Sequence, residues 1–140
     1  MKCIFLSAAA VLLVSPAHAD STNAPTVVVT PVLKTTMTNT GQPIVLPQNN
    51  AEVSVEIYEI APGATLPQHK HPYPRYAYVL AGTLRVTISD TGASFVYKPG
   101  DVIIEAIGEW HQGANIGNEP VKLVVFDQVE KGQSNVVLRK

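Results

Sequence analysis

Hydrophobic and polar positions alternate along much of this chain with a period of two. In "EVSVEIYEI" (residues 52–60), Val53, Val55 and Ile57 alternate with Ser54 and Glu56, and in "TLRVTIS" (83–89) Leu84, Val86 and Ile88 alternate with Arg85, Thr87 and Ser89. Successive side chains of an extended strand point to opposite faces, so the pattern predicts half-buried β-strands. Further β-branched and aromatic runs follow, "YAYVLAG", "SFVY", "VIIEAIG" and "VKLVVFDQV", separated by turn signals such as "APG", "DTG" and "KPGD". No window after residue 19 carries a helical stripe. Many short strands with regular turns predict an all-β antiparallel sandwich or barrel, which hides its edges by closing on itself.

The flanks refine this picture. A length of 140 residues holds one core. Met1 and Lys2, the apolar run "CIFLSAAAVLLV", Pro16 and the small-x-small "AHA" at Ala17–Ala19 have the form of a secretion signal, predicting a mature chain from Asp20 in the periplasm or the medium. Residues 20–50, rich in Thr, Pro and Asn, read as an extended arm, and residues 51–140 as the barrel. Apolar pieces of the arm, such as "PTVVVT", are suited to adding strands to a neighbouring barrel, which predicts an oligomer.

Removal of the signal takes away Cys3, the one cysteine, so the mature chain has no thiol for disulfides or nucleophilic catalysis. It also takes Lys2, leaving nine basic against eleven acidic side chains. Such a balance argues against nucleic acid or an anionic membrane as partner and favours a small-molecule ligand.

His18 leaves as well, and the remaining histidines, His69, His71 and His111, fall in two segments, "QHKH" and "GEWHQGAN". Residues two apart share a strand face, so His69 and His71 project together while Lys70 points away. With His111 as a third donor they form a candidate site for a divalent metal: iron, zinc, manganese, nickel or copper. A protein that acquires its ion outside the cytoplasm follows the divalent affinity order, which favours zinc, copper or nickel over iron and manganese.

The spacing of these residues resembles that of the cupin superfamily, in particular its small single-domain members. Gly63, five residues, His69, one residue, His71, three residues, Arg75, six residues, Gly82 is similar to the first cupin motif. Gly100, five residues, Ala106, one residue, Gly108, two residues, His111, three residues, Asn115 is similar to the second. The resemblance covers about residues 52–128 and implies a double-stranded β-helix, or jelly roll, holding a metal in its mouth by His69, His71 and His111, and a homodimer as the form of the oligomer. Two positions depart from the pattern: Ala106 replaces a proline, and Arg75 stands where a glutamate ligand is usual. A guanidinium has no lone pair to give, so the motif positions alone leave three imidazoles and no carboxylate.

Facing inward, Arg75 would offer a fork to a carboxylate or enolate; facing outward, it would pair with an acid such as Glu59 or Glu105. Tyr76, Tyr78, Gln68 and Trp110 are candidate pocket residues beside the ligands, and Glu105 and Glu109 are the nearby acids able to act as a base or late ligand. The resemblance implies a three-histidine, dioxygenase-like oxidoreductase acting on a small organic acid or diketone, with Arg75 orienting an anion. The competing expectation is a non-catalytic barrel that binds a small ligand or a structural metal. Sugar-phosphate isomerisation ranks below both, for want of further basic residues to hold a phosphate.

Overall fold

The alternating segments become nine strands in a computed structural model that describes residues 26–140. The expected signal, residues 1–19, lies outside the described residues. In chain order the strands are β1 (Ala51–Ile60), β2 (His69–Lys70), β3 (Arg75–Ala81), β4 (Leu84–Ile88), β5 (Ser94–Tyr97), β6 (Val102–Ile104), β7 (His111–Asn115), β8 (Val121–Glu130) and β9 (Val137–Leu138). Among the described residues there is no helix. The strands form two antiparallel sheets, ordered β1-β8-β3-β6 and β5-β4-β7-β2-β9, that face each other as a jelly-roll barrel.

The inner faces alternate in three strands, as predicted for Leu84, Val86 and Ile88. Leu84, Val86 and Ile88 of β4, Ala77 and Val79 of β3, and Val121, Leu123 and Val125 of β8 are all buried, and with Ile60 and Ile103 they form the core. Each such Val, Leu or Ile side chain contributes about 1.5–3 kcal/mol when fully withdrawn from water.

Strand β1 behaves differently. Its apolar set points outward, with Val53, Val55 and Ile57 each more than half exposed. The reason is its ten-residue register with β8, which places Ile60 opposite Val121 and Tyr58 opposite Leu123. Those two β8 residues are buried, and cross-strand partners share a face. Tyr58 and Ile60 therefore turn inward, and the alternation sends Val53, Val55 and Ile57 to the outer face.

The hairpin between β3 and β4 turns at Gly82, whose φ is +78°. A Cβ there would lie 2.7 Å from the Pro120 carbonyl oxygen and from Val121 Cα, so both conformation and space demand glycine. The arm, residues 26–50, carries no strand beyond a bridge between Met37 and Pro43. It is nonetheless tied to the barrel: Asn39 N donates to the Ile104 carbonyl at 2.8 Å, Gln42 Nε2 donates to the Ile107 carbonyl at 2.8 Å, and Ile107 N donates to Gln42 Oε1 at 2.8 Å. These bonds clamp both flanks of the segment that carries Glu105.

Candidate metal centre

Strand pairing brings the histidines together. His69 of β2 lies directly opposite His111 of β7, and His71, just beyond β2, bridges Ile107 in the loop between β6 and β7. The three rings stand 4.6–4.9 Å apart between centroids. All are buried, His71 completely.

Each ring is aimed by its Nδ1 atom. The partners are the carbonyl of Pro67 for His69 at 2.7 Å, that of Glu109 for His111 at 2.9 Å, and that of Asn135 for His71. A carbonyl can only accept, so each Nδ1 carries the proton and each neutral ring presents its Nε2 lone pair. This is the tautomer that metal ligation needs.

Glu105 completes the group. Its amide donates to the Arg75 carbonyl at 3.0 Å, and its Oε2 lies 2.8 Å from His71 Nε2 and 3.0 Å from His111 Nε2. Candidate ligand atoms of His69, His71, Glu105 and His111 all fall within 4.8 Å of one another. The carboxylate is thus supplied from the end of β6, and the four residues offer the three-histidine, one-carboxylate set that the motif positions alone lack. Its contacts with His71 and His111 show that the Glu105 side chain points into the barrel.

The donor chemistry fits a cation. His71 Nε2 is buried without a hydrogen-bond partner, because the nearby Glu105 oxygen does not approach it in hydrogen-bonding geometry. His111 meets an acceptor at both ring nitrogens. Lone pairs converging on a carboxylate repel unless a positive charge lies among them, and a metal ion or a proton supplies it.

Without a metal, protons take that part. Burial pushes the Glu105 carboxyl up, but the hydrogen bond from His111 and the charge of the neighbouring histidines outweigh it and hold the group well below the usual carboxylate range. Burial lowers His111, yet the Glu105 carboxylate reverses this and raises it. His69 is lowered, chiefly by burial.

Arg75 faces inward and is 4% exposed. Its fork does not point at the ligands; Nε donates to Asp127 Oδ1 at 2.7 Å and Nη2 to Asp127 Oδ2 at 2.6 Å. Nη1 reaches Tyr58 Oη at 3.4 Å. Burial works against the charge, but Asp127 and Glu105 more than restore it, so the guanidinium stays protonated. The expected outward pairing with Glu59 is not found: Glu59 bonds Lys122 on the surface at 2.9 Å.

Two spaces that share lining residues adjoin the centre. A cavity of about 20 Å³ is bordered by Tyr58, Leu66, His69, Arg75, Glu105 and His111, and a mouth of about 160 Å³ by Tyr58, Leu66, Pro67, His69, Val136 and Leu138. A larger open groove of about 500 Å³ runs between the arm and the loop at Pro72 and Tyr73, away from the converging ligand atoms.

Four of the expected pocket residues lie elsewhere. Tyr76 and Tyr78 project from the outer face of β3, opposite to Arg75 and Ala77, because their partners Phe126 and Val124 belong to the outer face of β8. Trp110 stacks outside the barrel between Lys70 Nζ, 4.8 Å from the ring centroid, and the Arg139 guanidinium, 5.5 Å away. Gln68 bonds Arg139 at the surface. Glu109 contributes its carbonyl, not its carboxylate.

Sequence reasoning passed over Tyr58, Asp127 and Asn135. Asp127 had a readable signal: it sits in register with Val121, Leu123, Val125 and Val129 on a core-facing alternation, where a charge requires a buried partner. No comparable pattern marks Asn135.

Comparison with known proteins agrees with this architecture. The cupin-domain family model matches residues 56–127, just over half the chain. The chain belongs to the cupin family. Among solved structures, this cupin is similar to the polyketide cyclase RemF from Streptomyces resistomycificus, at 23% identity over 63% of this chain and 62% of that one, with a TM-score of 0.53. It is also similar to an uncharacterized double-stranded β-helix protein from Klebsiella pneumoniae subsp. pneumoniae, at 25% identity over 70% and 82% of the two chains, TM-score 0.52. Oxalate decarboxylase from Lactobacillus farciminis, in its formate complex, matches at 26% identity and a TM-score of 0.50, over 61% of this cupin but only 26% of that chain. The match thus spans less than two thirds of RemF and about a quarter of the decarboxylase. No curated protein matches the chain.

Proposed function

We propose that this cupin is an exported metal-dependent oxidoreductase, dioxygenase-like, acting on a small organic acid or diketone. The observation that carries the reading is the convergence of three imidazole Nε2 atoms and the Glu105 carboxylate, whose Oε2 lies 2.8 Å from His71 Nε2 and 3.0 Å from His111 Nε2. His69, His71, His111 and Glu105 would hold the ion. A divalent metal bound there supplies a Lewis acid and, for iron, manganese or copper, a one-electron couple.

The chain's own residues do the rest. Leu66, Pro67, Val136 and Leu138 make an apolar mouth that limits water, and its size suits a molecule of few heavy atoms. Arg75, its charge balanced by Asp127, keeps a guanidinium beside the cavity as a candidate donor to an oxygen of the ligand. Burial pushes the Tyr58 phenol up, so Oη keeps its proton, accepts from Arg75 and can donate to a substrate oxygen. The likeness to a decarboxylase named for a small dicarboxylate supports the same size class.

One observation favours a second reading, a non-catalytic barrel with a structural metal or small bound ligand: the inner cavity, at about 20 Å³, is near the size of one water. Export rests on residues 1–19, and a homodimer on the exposed apolar residues of β1, β3 and β8 together with Val27, Val28 and Val29 of the arm. Charge balance speaks against nucleic acid and membrane lipid as partners.

The test is elemental mass spectrometry on the protein recovered from the periplasm, beside His71→Ala, with intact mass to locate cleavage after Ala19. Stoichiometric iron, manganese or copper lost in the variant, with oxygen uptake on small acids or diketones, supports the oxidoreductase. Zinc with no turnover on any of them moves the assignment to the structural or binding barrel. No metal in either protein overturns the oxidoreductase and the structural-metal barrel and leaves the ligand-binding barrel, and a full-length mass in the cytoplasm overturns export.

A further inference from the structure

The last ten residues, 131–140, are exposed at every position except one. Asn135 is 5% exposed, and each of its polar side-chain atoms and its carbonyl is engaged. The carbonyl accepts from His71 Nδ1, Oδ1 accepts from Tyr73 N at 2.9 Å, and Nδ2 donates to Asp127 Oδ1 at 2.6 Å and to the Pro74 carbonyl at 3.4 Å. One residue near the C-terminus therefore touches a metal-ligand ring, the loop from His71 to Arg75, and the buried ion pair.

The segment around it is lightly held. β9 pairs with β2 at two positions, Leu138 opposite His69 and Val137 opposite Lys70, and Arg139 N donates to the Gln68 carbonyl at 2.9 Å. Val136 and Leu138 wall the mouth of the centre. A short, exposed strand with so few partners opens locally at low cost compared with the core. When it opens, His71 loses the acceptor that fixes its tautomer and ring angle.

We infer that Asn135 is a positioning residue for the metal centre, and that Ser134–Arg139 forms a strap whose seating and metal occupancy stabilise each other. This rests on the reading of His69, His71, Glu105 and His111 as ligands. Partners that orient a ligating histidine commonly change metal affinity by about 10–100-fold. Linkage then requires the ion to shift strap opening by the factor by which strap opening weakens the ion.

The experiment uses Zn²⁺ alone as probe, on the full chain and on Asn135→Ala. Calorimetric titration is expected to give at least about 10-fold weaker binding to Asn135→Ala, with the substituted chain still folded by circular dichroism. Co²⁺ in place of Zn²⁺ should show an altered visible spectrum in the variant, which a role in packing alone would not produce. Hydrogen exchange on the unsubstituted chain gives a second readout: Zn²⁺ should slow the Arg139 and Tyr73 amides by about 10-fold or more. Zn²⁺ affinity within twofold in Asn135→Ala, or unchanged exchange at those amides while His71→Ala abolishes binding, overturns the strap and leaves the metal centre standing. Failure of the full chain to bind Zn²⁺ or Co²⁺ overturns both.

Discussion

Replacing Asp127 by leucine removes the anion from a buried guanidinium and leaves the surrounding shape nearly unchanged. Arg75 and Asp127 are cross-strand partners on the inner face, 4% and 6% exposed, joined by contacts of 2.7 and 2.6 Å. The substitution also takes the 2.6 Å acceptor from Asn135 Nδ2. Removing one member of a buried pair costs about 3–5 kcal/mol, and an orphaned buried amide adds about 1 kcal/mol or more. Asp127→Leu is therefore expected to lose about 4–6 kcal/mol, which for a domain of this size lowers the melting temperature by at least about 15 °C. Arg75→Met should cost less, because a carboxyl group can be neutralised by a proton whereas a guanidinium cannot lose one. The double variant should recover part of the loss, since well-packed apolar side chains often replace a buried pair at little cost. Urea unfolding at neutral pH, followed by circular dichroism, measures all three. A loss below about 1 kcal/mol for Asp127→Leu, or a coupling energy below about 0.5 kcal/mol in the cycle, refutes the reasoning.

Two further outcomes follow from the placement of single side chains. Glu105→Gln keeps the shape but removes the one carboxylate among the four ligands, and should weaken Co²⁺ binding by more than about 10-fold in a spectroscopic titration; an affinity within twofold would show that the carboxylate is not a ligand. Phe126→Lys places a charge at the centre of the outer face of β1-β8-β3, beside Val55 and Tyr76, and should convert a dimer to monomers in sedimentation velocity while changing monomer stability by no more than about 0.5 kcal/mol; a wild-type chain already monomeric at high concentration removes the dimer.

The histidine cluster was legible because its information is local. His69 and His71 are fixed to one face by strand geometry, and the two segments carrying the three ligands match recognisable spacings. What decides the remainder of the centre is register between distant strands. Arg75 meets Asp127 because β3 pairs with β8 in one particular register, 52 residues apart in sequence, and no local pattern specifies that offset. Register also reverses β1: its clean alternation of valines and isoleucine suggests a core face, but pairing Ile60 with Val121 turns that face outward. Tyr76 and Tyr78 were misplaced for the same reason, since a period of two tells which residues travel together and not which side they take.

Charge explains how the centre tolerates an arginine where the resemblance leads one to expect a ligand acid. Placed alone at the start of β3, a permanent buried cation would repel a metal ion. Two acids from elsewhere in the chain remove that conflict. Asp127 neutralises the guanidinium through both of its oxygens, and Glu105 returns a carboxylate to the ligands from the end of β6. With the imidazoles neutral, as ligation requires, Glu105 and Asp127 contribute −2 and Arg75 +1, a sum of −1 that a divalent ion turns to +1. The same sum holds for three imidazoles and a glutamate with no arginine pair nearby. The exchange therefore preserves the charge that the ion meets and alters what lies beside it. Arg75 and Tyr58 now border the cavity, donors set where a substrate would approach, and their reach toward it is governed by Asp127 and, through Asp127, by Asn135. Under the proposed function, the Arg75–Asp127 pair is neutral as a whole, so it would leave a cation with its ligands while placing N–H donors beside the cavity.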